Sequence, residues 1–405
     1  MSLIVQKYGG SSVADAEKMK NVARRAVAAR GEGNQVVVVV SAMGDTTDDL
    51  IDLAHQISSH PDEREMDVLL STGEIVSSTL LSMAIKSFGQ KAISLSGGQA
   101  GIQTDGIYSQ ARIRTVSPQR VKSELEAGNV VVVAGFQGVT EGMEVTTLGR
   151  GGSDTTAVAL AVSLKADMCH IYTDVEGIFT ADPRIVPEAR KIFEIDYEEM
   201  VELATYGAKV MHPRAVEIGQ IYGMPILVAC SFNDKPGTVI RGGIPMEIRN
   251  KARGIAHDVN VAKVMVMAVP DRPGVAASIF EPLALANVSV DTIVQNASVD
   301  GMTDLTFTVS RNDLSKALKV VEPIAKSIGA RGCMSNDKLG KVSIVGTGMQ
   351  NTPGYAARMF KALYEAGINI ELITTSEIRI TCIVNEASVA DAVRALHKAF
   401  QLDQE

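Results

Sequence analysis

The chain has 405 residues, of which 46% are hydrophobic, 21% charged and 4% aromatic, and its formal net charge is −8. This length predicts roughly two to four folded globular domains. The acidic balance, the absence of Trp and the small number of Phe and Tyr argue against nucleic-acid binding.

The remaining compositional features argue against membrane insertion and export. No apolar run approaches the ~18 residues that a membrane span needs, and the N-terminus lacks the pattern of a signal peptide. The four cysteines are far apart and form no CxxC pattern, which disfavours structural zinc and a disulfide framework. We therefore expect a cytoplasmic protein.

The first ~230 residues alternate short β-branched runs with helical patterns, which indicates βαβ units and a mainly parallel sheet. Uninterrupted valine runs at 36–40 and 130–134 are typical of strands covered on both faces. Further strands are predicted at 3–5 and 168–173. Apolar residues spaced for one helical face predict helices around 19–27 and 157–164.

A repeat with an offset of 80 residues follows. Residues 273–277 match 353–357, and each copy has the pattern strand, turn, helix, strand. Two copies are too few for a solenoid, so two small α+β modules that pack on each other are expected. The predicted domains are residues 1–235, a linker at 236–260, and modules at 261–335 and 336–405.

Four polar, glycine-bearing turns follow predicted strands, at residues 7–12, 41–47, 149–155 and 173–184. In an open parallel sheet such turns gather at the carboxyl ends of the strands, where glycine amides and helix N-termini bind phosphate. Each turn alone also fits an ordinary capped turn. The Walker A, GxGxxG and GxSxG patterns do not occur, which disfavours P-loop, dinucleotide-binding and serine-hydrolase folds.

Two of these turns carry a family resemblance. Lys-Tyr-Gly-Gly-Ser-Ser at 7–12 and Gly-Arg-Gly-Gly-Ser-Asp-Thr-Thr from Gly149 resemble the aspartate kinases of the amino-acid kinase family. Residues 71–74, 172–177, 180–184 and 207–213 are similar to further motifs of that family, and the C-terminal repeat resembles a pair of ACT domains. The resemblance implies an α/β amino-acid kinase fold, a mainly parallel sheet sandwiched by helices, plus two α+β ACT modules of ferredoxin-like type.

The resemblance also implies a reaction. ATP and L-aspartate would give ADP and 4-phospho-L-aspartate, the first step of lysine, threonine and methionine biosynthesis, with Mg²⁺ bound to ATP. A carboxylate acceptor is already ionised at neutral pH, so no general base is needed. The barrier is repulsion between two anions, which cations and oriented N–H groups must lower.

Residue roles follow from the resemblance. Lys7 and the Gly9–Gly10 backbone would hold the transferring phosphoryl group, and Lys209 would approach the ATP phosphates from the other side. Asp154 would either orient these lysines or contact the metal shell. No direct protein ligand of the metal is assigned. The ATP-binding residues carried over are Lys7, Tyr8, Gly9, Gly10, Ser11, Thr173, Asp174, Phe179, Thr180, Asp182, Pro183, Arg184 and Lys209.

The aspartate would be held at its two ends. Arg150 would pair with the α-carboxylate, because a guanidinium fork suits a carboxylate, and Glu74 would receive the ammonium group. A helix-capping role for Glu74 and a turn-forming role for Asp182 are the alternatives, and His212 is expected to pack or cap a helix. The substrate-binding residues carried over are Ser41, Asp45, Thr46, Thr47, Glu74, Arg150, Gly151, Gly152, Ser153 and Asp154.

For the ACT modules the resemblance implies homo-oligomerisation and feedback inhibition by lysine, threonine or both. Met246 lies where a separate short regulatory chain would begin if the gene had an internal start. One effector site would use Asp271, Gly274, Ala276, Gln295, Asn369 and Ile370. A companion site would use Asp291, Tyr355, Ala356, Ser376 and Glu377.

Two other functions fit parts of the sequence. Another carboxylate kinase, such as glutamate 5-kinase, would share the first domain but lack the paired C-terminal modules. A non-catalytic amino-acid sensor on a degenerate kinase fold would have lost some of Lys7, Arg150, Asp154 and Lys209, all of which are present.

Overall fold

The computed structural model describes residues 2–208, 210–243, 252–296, 300–349 and 352–404. The chain forms two compact units. Unit 1 comprises Met1–Phe179 and Lys191–Ile248, and unit 2 comprises Thr180–Arg190 and Arg249–Glu405. Met246 lies outside the described residues.

Unit 1 is built on an eight-stranded sheet with the order β12-β14-β13-β9-β1-β2-β6-β3, in which all neighbours are parallel except β13 and β14. A second, four-stranded sheet has the order β5-β4-β7-β8, and β10 pairs with β11. The strands of unit 1 are β1 (Leu3–Tyr8), β2 (Gln35–Val40), β3 (Ala92–Leu95), β4 (Ile102–Thr104), β5 (Ile113–Val116), β6 (Val130–Ala134), β7 (Gln137–Val139), β8 (Val145–Thr147), β9 (Met168–Thr173), β10 (Ile178–Phe179), β11 (Lys191–Ile192), β12 (Glu194–Ile195), β13 (Ile226–Cys230) and β14 (Thr238–Ile240).

The valine-rich runs predicted as central strands are confirmed. Every residue from Val36 to Val40 and from Val130 to Ala134 is fully buried, as expected where helices cover both faces of a parallel sheet. The helices of unit 1 are α1 (Ala16–Gly31), α2 (Thr46–Ile57), α3 (Glu63–Ser87), α4 (Gln119–Glu126), α5 (Gly152–Leu164), α6 (Tyr197–Thr205) and α7 (Pro213–Tyr222).

Helix α3 is long and apolar enough to span a membrane by length and composition, although half of its most apolar window is buried within the protein. The expectation that no apolar run reaches this length is therefore wrong for α3, whose apolar residues are interrupted by Asp67 and Glu74. Both acids are buried against neighbouring segments of unit 1. A core helix of a folded domain passes the same length and composition test.

Unit 2 contains one six-stranded antiparallel sheet with the order β16-β17-β15-β18-β20-β19. The 80-residue repeat is confirmed, since α8 and α10 begin and end 80 residues apart and both follow a left-handed glycine, Gly274 or Gly354. The elements are β15 (Gly254–Pro270), α8 (Val275–Leu285), β16 (Val290–Gln295), β17 (Met302–Val309), α9 (Leu314–Ser327), β18 (Gly332–Val345), α10 (Tyr355–Glu365), β19 (Leu372–Thr375), β20 (Arg379–Asn385) and α11 (Val389–Ala399).

The two central strands are shared between the repeats. The start of β15, from Gly254 to Asp258, pairs with residues 341–345 of β18, and its later part pairs with residues 332–339. Residues 254–258, which the sequence assigned to the linker, therefore form a strand beside the second repeat.

The segment Thr180–Arg190 belongs to unit 2, although both of its neighbours in sequence belong to unit 1. The Thr180 hydroxyl lies 3.0 Å from Nε2 of His397, and its carbonyl accepts the Ile255 N–H. Ala181 and Val186 are buried in the core of the second repeat. The domain prediction had placed this segment inside residues 1–235.

Candidate active site

Lys7 lies near the carboxyl end of β1, and its ammonium Nζ is 2.6 Å from Oδ1 of Asp154. Both side chains are largely buried, at 12% and 8% exposure. A buried charge needs a partner, and Asp154 also sits in the first turn of α5, where the helix dipole favours an anion. The ion pair thus fixes a cation at the carboxyl edge of the main sheet.

The turn after β1 offers backbone donors beside this cation. The Gly9 N–H donates to the Tyr172 carbonyl at 3.2 Å, so the Gly9 amide is already occupied. In the described part of the chain no acceptor is seen for the N–H groups of Gly10 and Ser11. The N–H groups of Gly10 and Ser11, both among the predicted ATP-binding residues, therefore remain available as phosphate donors.

The turns after β1 and β2 are in close contact. A Cβ on Gly10 would come within 2.8 Å of the Ala42 carbonyl oxygen, and the Gly44 N–H donates to the Gly10 carbonyl at 3.1 Å. Only glycine fits at position 10. The turn after β2 and the start of α2 carry predicted substrate residues, namely Ser41, Asp45, Thr46 and Thr47. The contact therefore brings the turn with these residues next to the turn after β1.

Glu74 is buried in α3, with 3% of its surface exposed. Its Oε1 accepts the Ala42 N–H at 3.0 Å, and its Oε2 is buried without a partner among the described residues. Burial raises the pKa of Glu74 to about 7. Glu74 lies in the middle of α3, so the capping alternative is excluded. A cationic group would satisfy the unpartnered oxygen.

Arg150 lies between two glycines with positive φ, Gly149 at 75° and Gly151 at 68°. Its side chain is exposed and has no ion pair or hydrogen bond among the residues that the structure describes. Gly152 and Ser153 begin α5 and are buried. This loop follows β8 of the four-stranded sheet, not a strand of the main sheet, yet α5 still brings Asp154 to Lys7.

The predicted nucleotide residues fall into two groups. Tyr8, Thr173, Asp174 and Phe179 lie in unit 1. Tyr8 is fully buried and stacked on Tyr172 with ring centroids 4.8 Å apart, so only its backbone can meet a nucleotide.

The other nucleotide residues, Thr180, Asp182, Pro183 and Arg184, lie in unit 2. The carboxylate of Asp182 pairs with Arg184 at 2.7 Å and accepts the Arg184 N–H. Arg184 also holds the pKa of Asp182 below its ordinary value. Asp182 therefore forms a turn, as its alternative role predicted, and its contact with the nucleotide stays a prediction.

Lys209, the second predicted phosphate-binding lysine, lies outside the described residues. Nearby, His212 is the N-cap of α7, because its Nδ1 accepts the Arg214 N–H at 3.3 Å. The His212 N–H donates to Oδ2 of Asp154 at 3.3 Å. The capping role predicted for His212 is confirmed, and the turn before α7 is tied to the Lys7–Asp154 pair.

In unit 2, four predicted effector residues line one cavity of about 320 Å³: Asp271, Gly274, Ala276 and Gln295. Asn369 and Ile370, assigned to the same site, do not line it. They precede β19 at one edge of the sheet, whereas Gln295 ends β16 at the other edge. One chain therefore does not assemble the predicted six-residue site.

The companion effector residues are likewise divided. Asp291 lies on β16 and forms an ion pair with Lys341, whereas Ser376 and Glu377 follow β19 at the opposite edge. Tyr355 and Ala356 open α10, and Tyr355 stacks on Phe400.

Sequence reasoning missed two polar residues of unit 1. Asp67 is fully buried on α3 and accepts four hydrogen bonds, from Ser109 and Thr147. Arg214 donates from its guanidinium to the carbonyls of Leu148 and Ala111. Asp67 could have been recognised from its spacing, because it lies seven residues, or two helical turns, before Glu74 on the same helix face. The sequence around Arg214 carries no comparable pattern.

Comparison with known proteins agrees with this architecture. Residues 2–230 match the model of the amino acid kinase family, and residues 264–323 and 342–400 match an ACT domain model. The aspartokinase of Mycolicibacterium smegmatis is 52% identical over 408 residues, covering 99% of this chain and 97% of the relative.

Solved structures agree. The aspartate kinase from Synechocystis is 46% identical with a TM-score of 0.56, covering 100% of this chain and 70% of that one. Aspartokinase III of E. coli matches at 24% identity in two structures. The R-state complex with aspartate and ADP has a TM-score of 0.84, with 98% of this chain and 100% of that chain covered. The T-state complex with lysine and aspartate has a TM-score of 0.75, with 98% and 99% covered.

The catalytic fold and its paired regulatory modules define the class, a small-molecule kinase with ACT domains. The chain belongs to the amino acid kinase family and, by its full-length relatives, to the aspartokinases within it.

Proposed function

We propose that this enzyme transfers the γ-phosphoryl group of ATP to the side-chain carboxylate of L-aspartate, giving 4-phospho-L-aspartate. The observation that carries the proposal is Glu74, a buried carboxylate with one oxygen hydrogen-bonded to Ala42 and the other unpartnered among the described residues. An amino-acid ammonium completes such a site. The free guanidinium of Arg150 suits the α-carboxylate, which leaves the side-chain carboxylate of the substrate to attack.

Lys7 is the cation for the transfer. Its ammonium is held by Asp154 and lies close to Gly9, in the turn that follows β1, so it can stabilise charge that builds up on the phosphoryl oxygens. The acceptor carboxylate carries no proton, and no step needs a general base. Of the two roles open to Asp154, orienting Lys7 is the one that the 2.6 Å contact supports.

ATP would bring Mg²⁺ with it. Within the described residues no group of three or more His, Cys, Asp or Glu side chains could hold a metal ion. Asp154 Oδ1 lies in the ion pair with Lys7, and its Oδ2 accepts the His212 N–H. These residues fit a metal that is coordinated mainly by phosphates and water. When bound, Mg²⁺ supplies charge neutralisation on the phosphates.

An ADP-release assay tests the reaction. The chain with ATP and Mg²⁺ should release ADP when L-aspartate is added, and hydroxylamine should trap the acyl phosphate as aspartyl hydroxamate. Replacing aspartate by L-glutamate in the assay tests whether the enzyme is a glutamate 5-kinase. A chain that binds amino acids but releases no ADP would be a sensor.

We further propose feedback inhibition by lysine, threonine or both, with the pathway role in lysine, threonine and methionine biosynthesis that this implies. The cavity at Asp271 offers a carboxylate for an ammonium group and, beside Gly274, a helix N-terminus for a carboxylate. Because the other predicted effector residues lie at the opposite edge of the sheet, a complete site requires the β19 edge of a second chain. Homo-oligomerisation through the ACT modules is therefore part of the proposal.

The regulatory proposal is tested by repeating the ADP assay with lysine, threonine and both. Asp271→Ala should weaken inhibition without changing uninhibited kcat. Inhibition that survives this change undiminished would place the effector elsewhere.

A further inference from the structure

The loop that carries Arg150 is hydrogen-bonded by a second arginine, Arg214, which lies on helix α7. Nη1 of Arg214 donates to the Leu148 carbonyl at 2.8 Å, and Nη2 donates to the Ala111 carbonyl at 3.0 Å. The Ala111 N–H in turn donates to the Thr147 carbonyl at 2.9 Å. The Arg214 guanidinium therefore joins the segment that immediately precedes Arg150 to the neighbouring segment at Ala111.

Asp67 holds the same two segments by another route. Its carboxylate accepts the N–H and the hydroxyl of Thr147 at 2.8 and 2.7 Å, and the Ser109 N–H at 3.0 Å. The carboxylate is fully buried, and these bonds offset the cost of burying it. Thr147 and Leu148, the third and second residues before Arg150, are thus each held by a charged side chain.

Arg150 needs such support because its own loop does not fix it. Glycines with positive φ flank it on both sides, and glycine leaves the backbone unusually free. On the far side, a Cβ on Gly151 would come within 2.3 Å of the His212 side chain. The start of α7, with His212 and Arg214, therefore contacts this loop before and after Arg150.

We propose that Arg214 and Asp67 are positioning residues for Arg150. They set the place and direction of its guanidinium without touching substrate. The inference rests on the proposed function, in which Arg150 binds the α-carboxylate of aspartate. Neither residue contacts Lys7, so the nucleotide side should be spared.

The test is steady-state kinetics with calorimetric titration of aspartate into the intact chain. Arg214→Ala should raise the KM and Kd for aspartate about tenfold or more, because small misplacements of a binding group cost about that much, while the KM for ATP stays within about twofold. Arg214→Lys should have an aspartate KM between those of the native chain and Arg214→Ala, since a single ammonium cannot bind both carbonyls as the guanidinium fork does. Asp67→Asn should behave like Arg214→Ala.

The matched control is Arg30→Ala, which removes another guanidinium-to-carbonyl bond of unit 1, to Asn34 at 2.9 Å. It should leave the aspartate KM unchanged. Adding Arg214→Ala to Arg150→Ala should give no further rise in aspartate KM, because a residue that acts through Arg150 has nothing left to position.

Several results would overturn the inference. These are an unchanged aspartate KM in Arg214→Lys and Asp67→Asn, an equal rise in the KM values for aspartate and ATP, or full additivity with Arg150→Ala. If Arg214→Ala does not fold, the Lys and Asn variants decide. A native chain without aspartate-dependent ADP release refutes the proposed function instead, whereas an active native chain with unaffected variants refutes only this inference.

Discussion

Replacing Glu74 by Gln tests the acid on which substrate binding depends. The ordinary pKa of a glutamate, 4.5, governs the unfolded chain, whereas burial raises the pKa of Glu74 in the folded protein to about 7. Between these values the folded protein binds the proton more tightly, so its stability falls as pH rises. At about 1.4 kcal/mol per pH unit, the ionised Glu74 costs about 3 kcal/mol of unfolding free energy by pH 8.

Gln keeps an oxygen for the Ala42 N–H and carries no charge. Glu74→Gln should therefore be more stable than the native chain by up to about 3 kcal/mol at pH 8, and equally stable near pH 4, as measured by urea denaturation without ligands. Glu63→Gln, an exposed acid on the same helix, is the control and should show no such pH-dependent gain.

The same change should damage aspartate binding. Loss of a hydrogen bond to a charged group is worth about 1.5–3 kcal/mol, so the aspartate KM should rise about 10- to 100-fold with a much smaller change in kcat. Since the ammonium binds the ionised acid, the native aspartate KM should also rise below pH 7, and this rise should disappear in Glu74→Gln. A raised KM for ATP with normal aspartate binding would refute the placement of the substrate.

Three other changes probe separate parts of the fold. Lys7→Ala should lower kcat about 100-fold or more, because its contact strengthens as charge moves, with aspartate KM nearly unchanged; normal kcat in the ADP assay would exclude the role. Gly10→Ala should lower the free energy of unfolding by about 1–3 kcal/mol, since its Cβ meets the Ala42 carbonyl at 2.8 Å, whereas Gly31→Ala, with no atom within 4 Å of its Cβ, should not. His397→Ala should speed amide exchange at residues 181–190, and unchanged mass-spectrometric exchange would contradict the anchoring through Thr180.

Much of the fold could be predicted from local patterns. The two valine runs predicted strands buried on both faces, and the repeat predicted a helix after a turn in each copy; both helices begin after a glycine in the left-handed conformation. The predicted boundary of the modules was less accurate. Residues 254–258 pair with residues 341–345 of β18, from Gly254 with Val345 to Asp258 with Lys341, and long-range pairing leaves no local pattern to recognise.

The segment Thr180–Arg190 shows a second limit of sequence reasoning. Its neighbours Phe179 and Lys191 pair within unit 1, and its Asp-Pro-Arg motif suggested the nucleotide. Thr180, however, contacts His397, 217 residues away, and Ala181 and Val186 pack in the core of the second repeat. A contact of this range is decided by the folded chain, not by the composition of the turn.

The acids of α3 show why the candidate site itself could be only partly predicted. Asp67 and Glu74 lie two turns apart on one helix and are both buried, so the sequence presents them as equivalent. Asp67 accepts four hydrogen-bond contacts from three donors, the Ser109 N–H shared by both oxygens and the N–H and hydroxyl of Thr147, so each of its oxygens has a partner. Glu74 receives one from another residue and keeps a buried oxygen without a described partner. A buried carboxylate whose oxygens all accept hydrogen bonds stabilises the fold, whereas one with an unpartnered oxygen can bind a cationic group. The number of donors around each acid therefore distinguishes the structural role of Asp67 from the binding role of Glu74.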